Sequence, residues 1–230
     1  MKVKAKWTTR KTQHSVFGRF SSYTDEMSTQ WESTYQSKQA SERSWTQESP
    51  VESLELFELI DLRHDEPIID IGGGSSVLVD ALISREYSDL TVLDISQTAI
   101  EESRARVESV FGDEIAVEWI SSDIITFSPV RSYALWHDRA VFHFLVDPSK
   151  QERYVQIAGQ AVRRGGSLII ATFSPDGPEM CSGLPVIRWS SDELESLFSA
   201  DFHAIESFQR DHHTPWGATQ SFTWMLMRRR

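Results

Sequence analysis

The chain has a single cysteine, Cys181, among 230 residues, which excludes a disulfide framework and a cysteine-rich zinc site within one chain. A reducing compartment follows as the natural setting, and the expected location is cytoplasmic. No apolar run approaches the roughly 20 residues that span a bilayer, so no membrane association is expected. Positive charge is scarce outside the start of the chain. Lys2, Lys4, Lys6, Arg10, Lys11 and Arg19 precede the first acid, and they leave −17 on the remainder of a chain whose formal net charge is −11. An acidic body is a poor partner for a phosphate backbone, which speaks against nucleic acid. It suits a small molecule, or a basic protein surface. A phosphate-loop lysine is also missing, as is the third glycine of a dinucleotide fingerprint, because Val77 stands there.

With 40% hydrophobic residues the chain has enough for one core, and its length fits one domain with an appendage. Residues 1–30 are polar and read as a basic, disordered extension; a targeting peptide, or a start codon ahead of Met27, would explain them as well. A single domain is expected over 31–230. It opens with a segment, 31–63, in which Trp31, Tyr35 and Trp45 stud polar sequence and 51–63 has helical spacing. Strands and helices then alternate. Strands are expected at 67–71, 90–95, 115–120, 132–136 and 167–173, and helices at 75–85 and 97–111. Asp147 with Pro148 opens another helix, which runs to about Val162 and is ended by Gly165-Gly166. Ser190–Glu193 is a capping box. Two late strands, 202–208 and 221–227, lack a helix between them and read as an antiparallel pair at one edge. The fold class is α/β, a Rossmann-like doubly wound sheet with helices on both faces.

Such sheets bind ligands at the carboxyl ends of their strands. Asp70-Ile71-Gly72-Gly73-Gly74 ends the first strand in an acid and glycines. Asp94-Ile95 ends the second, where an acid can hold a ribose diol. An acid at Asp70 would repel pyrophosphate and welcome an ammonium. A ribose at one end, an amino acid at the other and no phosphate describe S-adenosylmethionine.

At these residues the chain resembles the class I S-adenosylmethionine-dependent methyltransferases, over about residues 31–230. The resemblance implies a seven-stranded sheet with an antiparallel final strand. It implies cofactor contacts from Asp70, Gly72, Gly73, Gly74, Asp94 and Ile95, and from Asp123 and Ile124 at the adenine. His137-Asp138-Arg139 would line the transfer site after the fourth strand. Trp31, Tyr35 and Trp45 would form a lid over the sulfonium. The N-terminal aromatics and the Asp138-Arg139-Ala140 turn are similar to small-molecule members of the thiopurine and trans-aconitate type. A small-molecule thiol, carboxylate or amine is therefore the expected acceptor. A protein-lysine methyltransferase acting on a basic target is the alternative. An NAD(P)-dependent oxidoreductase and a non-catalytic sensor are rivals from other classes.

His137, Asp138, Arg139 and His143 are the candidates for catalysis, with His137 also near the cofactor. His137 or Asp138 would act as base for a protonated acceptor, and Arg139 or a histidine would hold an anionic one. Removing His137 is expected to lower turnover more than cofactor affinity. His143, His212, His213 and Trp216 are the candidates for substrate contact, the last three in the loop between the late strands. Adjacent His212 and His213 lack the carboxylate or cysteine spacing of a metal site, so no metal is expected.

Overall fold

The computed structural model describes residues 17–230, with side chains from Met27 onward. The sequence-predicted extension 1–30 lies outside the described residues up to residue 16; from there helix α1 (Phe17–Ser37) is continuous, so residues 17–30 are helical rather than irregular. Elements follow as α2 (Val51–Phe57), β1 (Ile68–Ile71), α3 (Leu78–Ile83), β2 (Leu90–Asp94), α4 (Gln97–Phe111), β3 (Val117–Ser121) and β4 (Tyr133–Arg139). Then come α5 (Pro148–Ala161), β5 (Val162–Phe173), a short hairpin β6 (Met180–Cys181) and β7 (Leu184–Pro185), α6 (Ser191–Phe198), β8 (Phe202–His213) and β9 (Thr219–Arg229). Among the described residues no helix is long and apolar enough to cross a membrane.

Seven strands form one sheet in the order β3-β2-β1-β4-β5-β9-β8. β1 to β5 are parallel, and β9 runs antiparallel to both β5 and β8. Ile68–Ile71 and Leu90–Asp94 are buried throughout, because helices cover both faces. Alternation along β1 sends Ile69 and Ile71 to the α5–α6 side, where Trp136, Tyr154 and Phe198 pack. Ile68 goes to the α2–α4 side with Leu56, Leu78 and Ile100. The strand order reverses between β1 and β4, and that is where a crevice must open at the carboxyl edge.

The caps read at Asp147 and Ser190 form, and Ser96 caps α4 in the same way. Ser96 Oγ accepts from Ala99 N at 3.1 Å, Asp147 from Ser149 N at 2.9 Å, and Ser190 and Glu193 close a capping box. Gly165-Gly166 does not end α5, which stops at Ala161. With φ of 72°, Gly165 instead lets β5 bulge, and the β4–β5 register slips between Tyr133↔Val162 and Leu135↔Ser167. The consequential departure is in β4. The sequence-predicted strand stops at Trp136, whereas β4 continues to Arg139. Those three residues are therefore not one turn that shares a direction. They alternate across the sheet.

Candidate active site

The glycine loop is built around two acids. Gly72 has φ of 67°, and its amide donates to Leu93 O at 2.7 Å, which folds the chain back over β2. A Cβ on Gly73 would come within 2.5 Å of Asp70 Oδ2, and one on Gly74 within 2.4 Å of Asp94 Oδ2. Glycine is needed here so that the loop can close on its carboxylates. Asp94 accepts from Gly74 N at 3.0 Å and from Ser96 N at 2.8 Å. Burial, opposed by these amides and reinforced by the charge of Asp70, lifts its pKa to about 6.

Asp70 is buried, and its Oδ1 lies 2.7 Å from His137 Nδ1. Its Oδ2 is buried with no partner. His137 Nε2 lies 2.9 Å from Ser53 Oγ on α2. A carboxylate only accepts, so His137 Nδ1 carries a hydrogen, and Ser53 holds the far edge of the ring. His137 therefore positions Asp70, which lines the smaller compartment of the cleft together with Gly72, Ser75, Tyr35 and Arg139. His137, expected near the cofactor and as a base, thus has both ring nitrogens bonded, to Asp70 and to Ser53. Its replacement by Phe strips a buried carboxylate of its bond, which costs on the order of 1–3 kcal/mol. Calorimetry is expected to show affinity for S-adenosylhomocysteine lowered about tenfold or more; turnover lost at unchanged affinity would restore the base role.

Asp138 is a correction. It points to the opposite face of β4 from His137 and is fully buried. Its Oδ1 accepts from Val141 N at 3.0 Å and its Oδ2 from Tyr154 Oη at 2.5 Å. It pins the turn after β4 to α5 and does not border the cleft, so it is no candidate base. Burial, partly offset by the Tyr154 hydroxyl, raises its pKa to about 6. His143 is a second correction. It is fully buried beside Phe144, Phe173 and Phe222, and its Nδ1 accepts from Phe173 N at 3.2 Å. Burial and the nearby charge of Arg139 pull its pKa down to about 3, so it stays neutral and serves the core.

The main cleft lies where the reversal of strand order puts it. Ile71 and Gly72 from β1, Leu93 to Ile95 from β2, Ser122 to Ile125 after β3, and Arg139 to Val141 from β4 line it. Asp123 and Ile124 thus meet Asp94 and Ile95 in one cavity; Asp123 Oδ1 accepts from Ile125 N at 2.9 Å, and burial raises its pKa. Lys150, from the first turn of α5, borders the same end and was missed in the sequence, where it reads as a surface residue near a cap. Trp31, Tyr35 and Trp45 do cover the cleft, with Phe144 beside them. Trp31 meets Trp45 edge-on at 5.4 Å and Phe144 at 5.1 Å between ring centroids. Two anchors hold this cover. Arg43 forms a two-pronged pair with Glu102 of α4 while its guanidinium sits 4.5 Å over the Tyr35 ring. Glu32 accepts from Ser96 Oγ at 2.8 Å and from both the amide and hydroxyl of Thr98, tying α1 to the start of α4.

The late-strand candidates fare differently. His212 and His213 lie in β8 itself, not in a loop. His212 is half-buried with Nε2 2.6 Å from Ser44 O, so it braces the segment carrying Trp45. His213 is exposed, and Trp216, 58% exposed at the turn tip, borders neither compartment of the cleft. The long β8–β9 ribbon carries that turn away from the β1–β4 reversal.

The fold is that of the class I S-adenosylmethionine-dependent methyltransferases. Burkholderia thailandensis 1,6-didemethyltoxoflavin-N1-methyltransferase, solved with 1,6-didemethyltoxoflavin and S-adenosylhomocysteine, superposes with a TM-score of 0.66 at 14% identity, over 99% of this chain and 93% of that one. A methyltransferase from Anabaena variabilis gives 0.67 at 15%, over 90% and 95%. The Bradyrhizobium japonicum N-methyltransferase NodS, with S-adenosylhomocysteine, gives 0.60 at 16%, over 79% and 89%. No protein-family model and no curated protein sequence matches the chain.

Proposed function

We propose that this protein is an S-adenosylmethionine-dependent methyltransferase acting on a small-molecule acceptor. One observation carries the reading. Four consecutive strand ends close on one cleft, with a buried, unpartnered carboxylate oxygen of Asp70 at one compartment and Asp94 and Asp123 in the other. The donor set fits the cofactor end by end. Asp70 would meet the ammonium; Asp94, fixed by two amides, would accept from the ribose hydroxyls; Asp123 and the chain at Ile124 would meet the polar edge of adenine. The bound group supplies a methyl carried on a positively charged sulfur. Trp31, Tyr35 and Trp45, which line the cleft, would exclude water from the bound group, and their faces would attract the positive charge. The same buried oxygen of Asp70 disfavours the pyrophosphate of a nicotinamide dinucleotide.

The structural neighbours named above, two of them solved with S-adenosylhomocysteine, support the cofactor, and the 1,6-didemethyltoxoflavin bound to one of them supports a small-molecule acceptor. Titration of the full chain with S-adenosylhomocysteine and, separately, NAD is the test. Micromolar binding of the first and none of the second is expected. Absence of S-adenosylhomocysteine binding would overturn the reading. Methyl label from S-adenosylmethionine in a lysate should then appear in the small-molecule fraction rather than in protein.

A further inference from the structure

We propose that Arg139 forms an anion-binding subsite in the cleft and that the acceptor is a small carboxylate or thiolate. The proposal rests on the methyltransferase reading and deepens it. Arg43, Arg106 and Arg163 each reach a carboxylate, of Glu102, Asp80 and Glu66 respectively. Arg139 does not. Its Nη1 donates to Trp45 O at 3.0 Å, while Nε and Nη2 are buried without any partner. A guanidinium is a planar fork of donors matched to a carboxylate. Burying one unpaired is costly unless a ligand anion completes it.

The surroundings say which ligand. The guanidinium stands 5.2 Å from the centre of the Phe222 ring on β9, and it borders the cleft together with Cys181 and Phe144. That is the β5–β9 side, across β4 from Asp94 and Asp123. The carboxylates of Glu52 and Asp70 act on Arg139 through their charge without an ion pair, and three other groups that could take a proton are committed elsewhere. Asp138 faces the other way, His143 is locked in the core, and His212 is bonded to Ser44. Burial also raises the pKa of the Cys181 thiol. An anionic acceptor asks for no base. Its lone pair forms the new bond to the methyl carbon, the pair of the broken carbon–sulfur bond stays on sulfur, and no proton moves. The product, an ester or thioether, is neutral and loses its hold on Arg139, which favours release.

Arg139 also borders the compartment of Asp70 Oδ2, so the cofactor's own carboxylate is the competing source of the anion. Calorimetry on the full chain separates the two. With S-adenosylhomocysteine bound, formate, acetate, benzoate and phenylacetate are titrated against the amides of the same acids, and thiophenolate against thioanisole. At least one anion is expected to bind tenfold or more tighter than its uncharged counterpart. Arg139→Gln should abolish that preference and leave S-adenosylhomocysteine affinity within about twofold; Arg139→Lys should keep part of the preference. Arg139→Met should melt close to wild type, since the loss of the bond to Trp45 O is offset by removing a buried charge with two unpartnered donors.

No preference for any anion, or a preference that survives Arg139→Gln, overturns the proposal. So does a tenfold loss of S-adenosylhomocysteine affinity in Arg139→Gln, which would put the guanidinium on the cofactor. A clearly lower melting temperature for Arg139→Met would make it a structural residue. Failure of wild type to bind S-adenosylhomocysteine sinks the methyltransferase reading itself and is seen before any acid is added.

Discussion

Gly72→Ala is expected to eliminate measurable S-adenosylhomocysteine binding and to lower the melting temperature by roughly 6–12 °C, the shift that about 3 kcal/mol produces in a chain of this size. Two costs add. At φ of 67° an alanine is held in the left-handed region, on the order of 1–2 kcal/mol. Its Cβ would also lie 2.1 Å from Val141 Cγ2, an overlap that the loop relieves only by moving. Moving it displaces the amide bonded to Leu93 O and the wall shared by both cleft compartments. Val141→Ala in the same chain removes the overlap and leaves the dihedral strain. It should therefore restore about half of the lost stability. A single mutant that melts like wild type and binds normally would show that the loop geometry at Gly72 is not needed.

The second large effect is expected at Asp94. Asp94→Ala should weaken S-adenosylhomocysteine binding about a hundredfold, near 3 kcal/mol, because it removes a charged acceptor and also frees the amides of Gly74 and Ser96. Asp94→Asn should lose less and should also change the pH profile. With a folded-state pKa raised to about 6, wild-type Asp94 is ionised at neutral pH. Its ionised form is the better partner for two hydroxyl donors, so affinity is expected to be flat from pH 7 to 8. It should fall below pH 6 by up to about tenfold per unit as the carboxylate protonates. The linkage for stability has the opposite sign. A carboxyl that is harder to ionise in the folded state than in the unfolded chain favours the fold most at low pH, and that contribution is lost as pH rises through about 6. Unchanged affinity in Asp94→Ala, or an acid-side decline that persists in Asp94→Asn, would remove the ribose assignment.

Much of the site could be read from local sequence because its requirements are local. An apolar run ending in an acid and glycines specifies a strand and the turn after it. Asp70, Gly72, Asp94 and Asp123 sit where that pattern puts them. The caps at Ser96, Asp147 and Ser190 are similarly local, as a side chain there serves an amide two or three residues away. The aromatic cover of Trp31, Tyr35 and Trp45 was legible for another reason: large rings in polar sequence need a surface to bury against.

The assignments that changed depend on distance along the chain or on parity along a strand. Three more residues of strand in β4 decide that His137 and Arg139 share one face and Asp138 takes the other. A period of two leaves no tolerance for a misjudged strand end. The partner that makes His137 a positioning residue is Ser53, 84 positions away, and nothing near either residue announces the other. His143 was a candidate because it follows the fourth strand; beyond its chain neighbour Phe144, the rings of Phe173 and Phe222 close around it only when β5 and β9 pair. His212 reaches Ser44 across 168 positions, and so serves the cover rather than the cleft.

By itself the sequence determined the alternating architecture, the glycine loop and the acids at the strand ends, because each follows from residues that are neighbours in the chain. Only the tertiary structure decided which polar groups are already satisfied. Asp138 and His212, and His143 through Nδ1, are bonded within the fold, while Asp70 Oδ2, Trp45 Nε1 and two nitrogens of Arg139 are buried without a partner in residues that line the cleft. Hydrogen-bond satisfaction is a property of the whole packed molecule, because the partner of a buried polar group can lie anywhere along the chain.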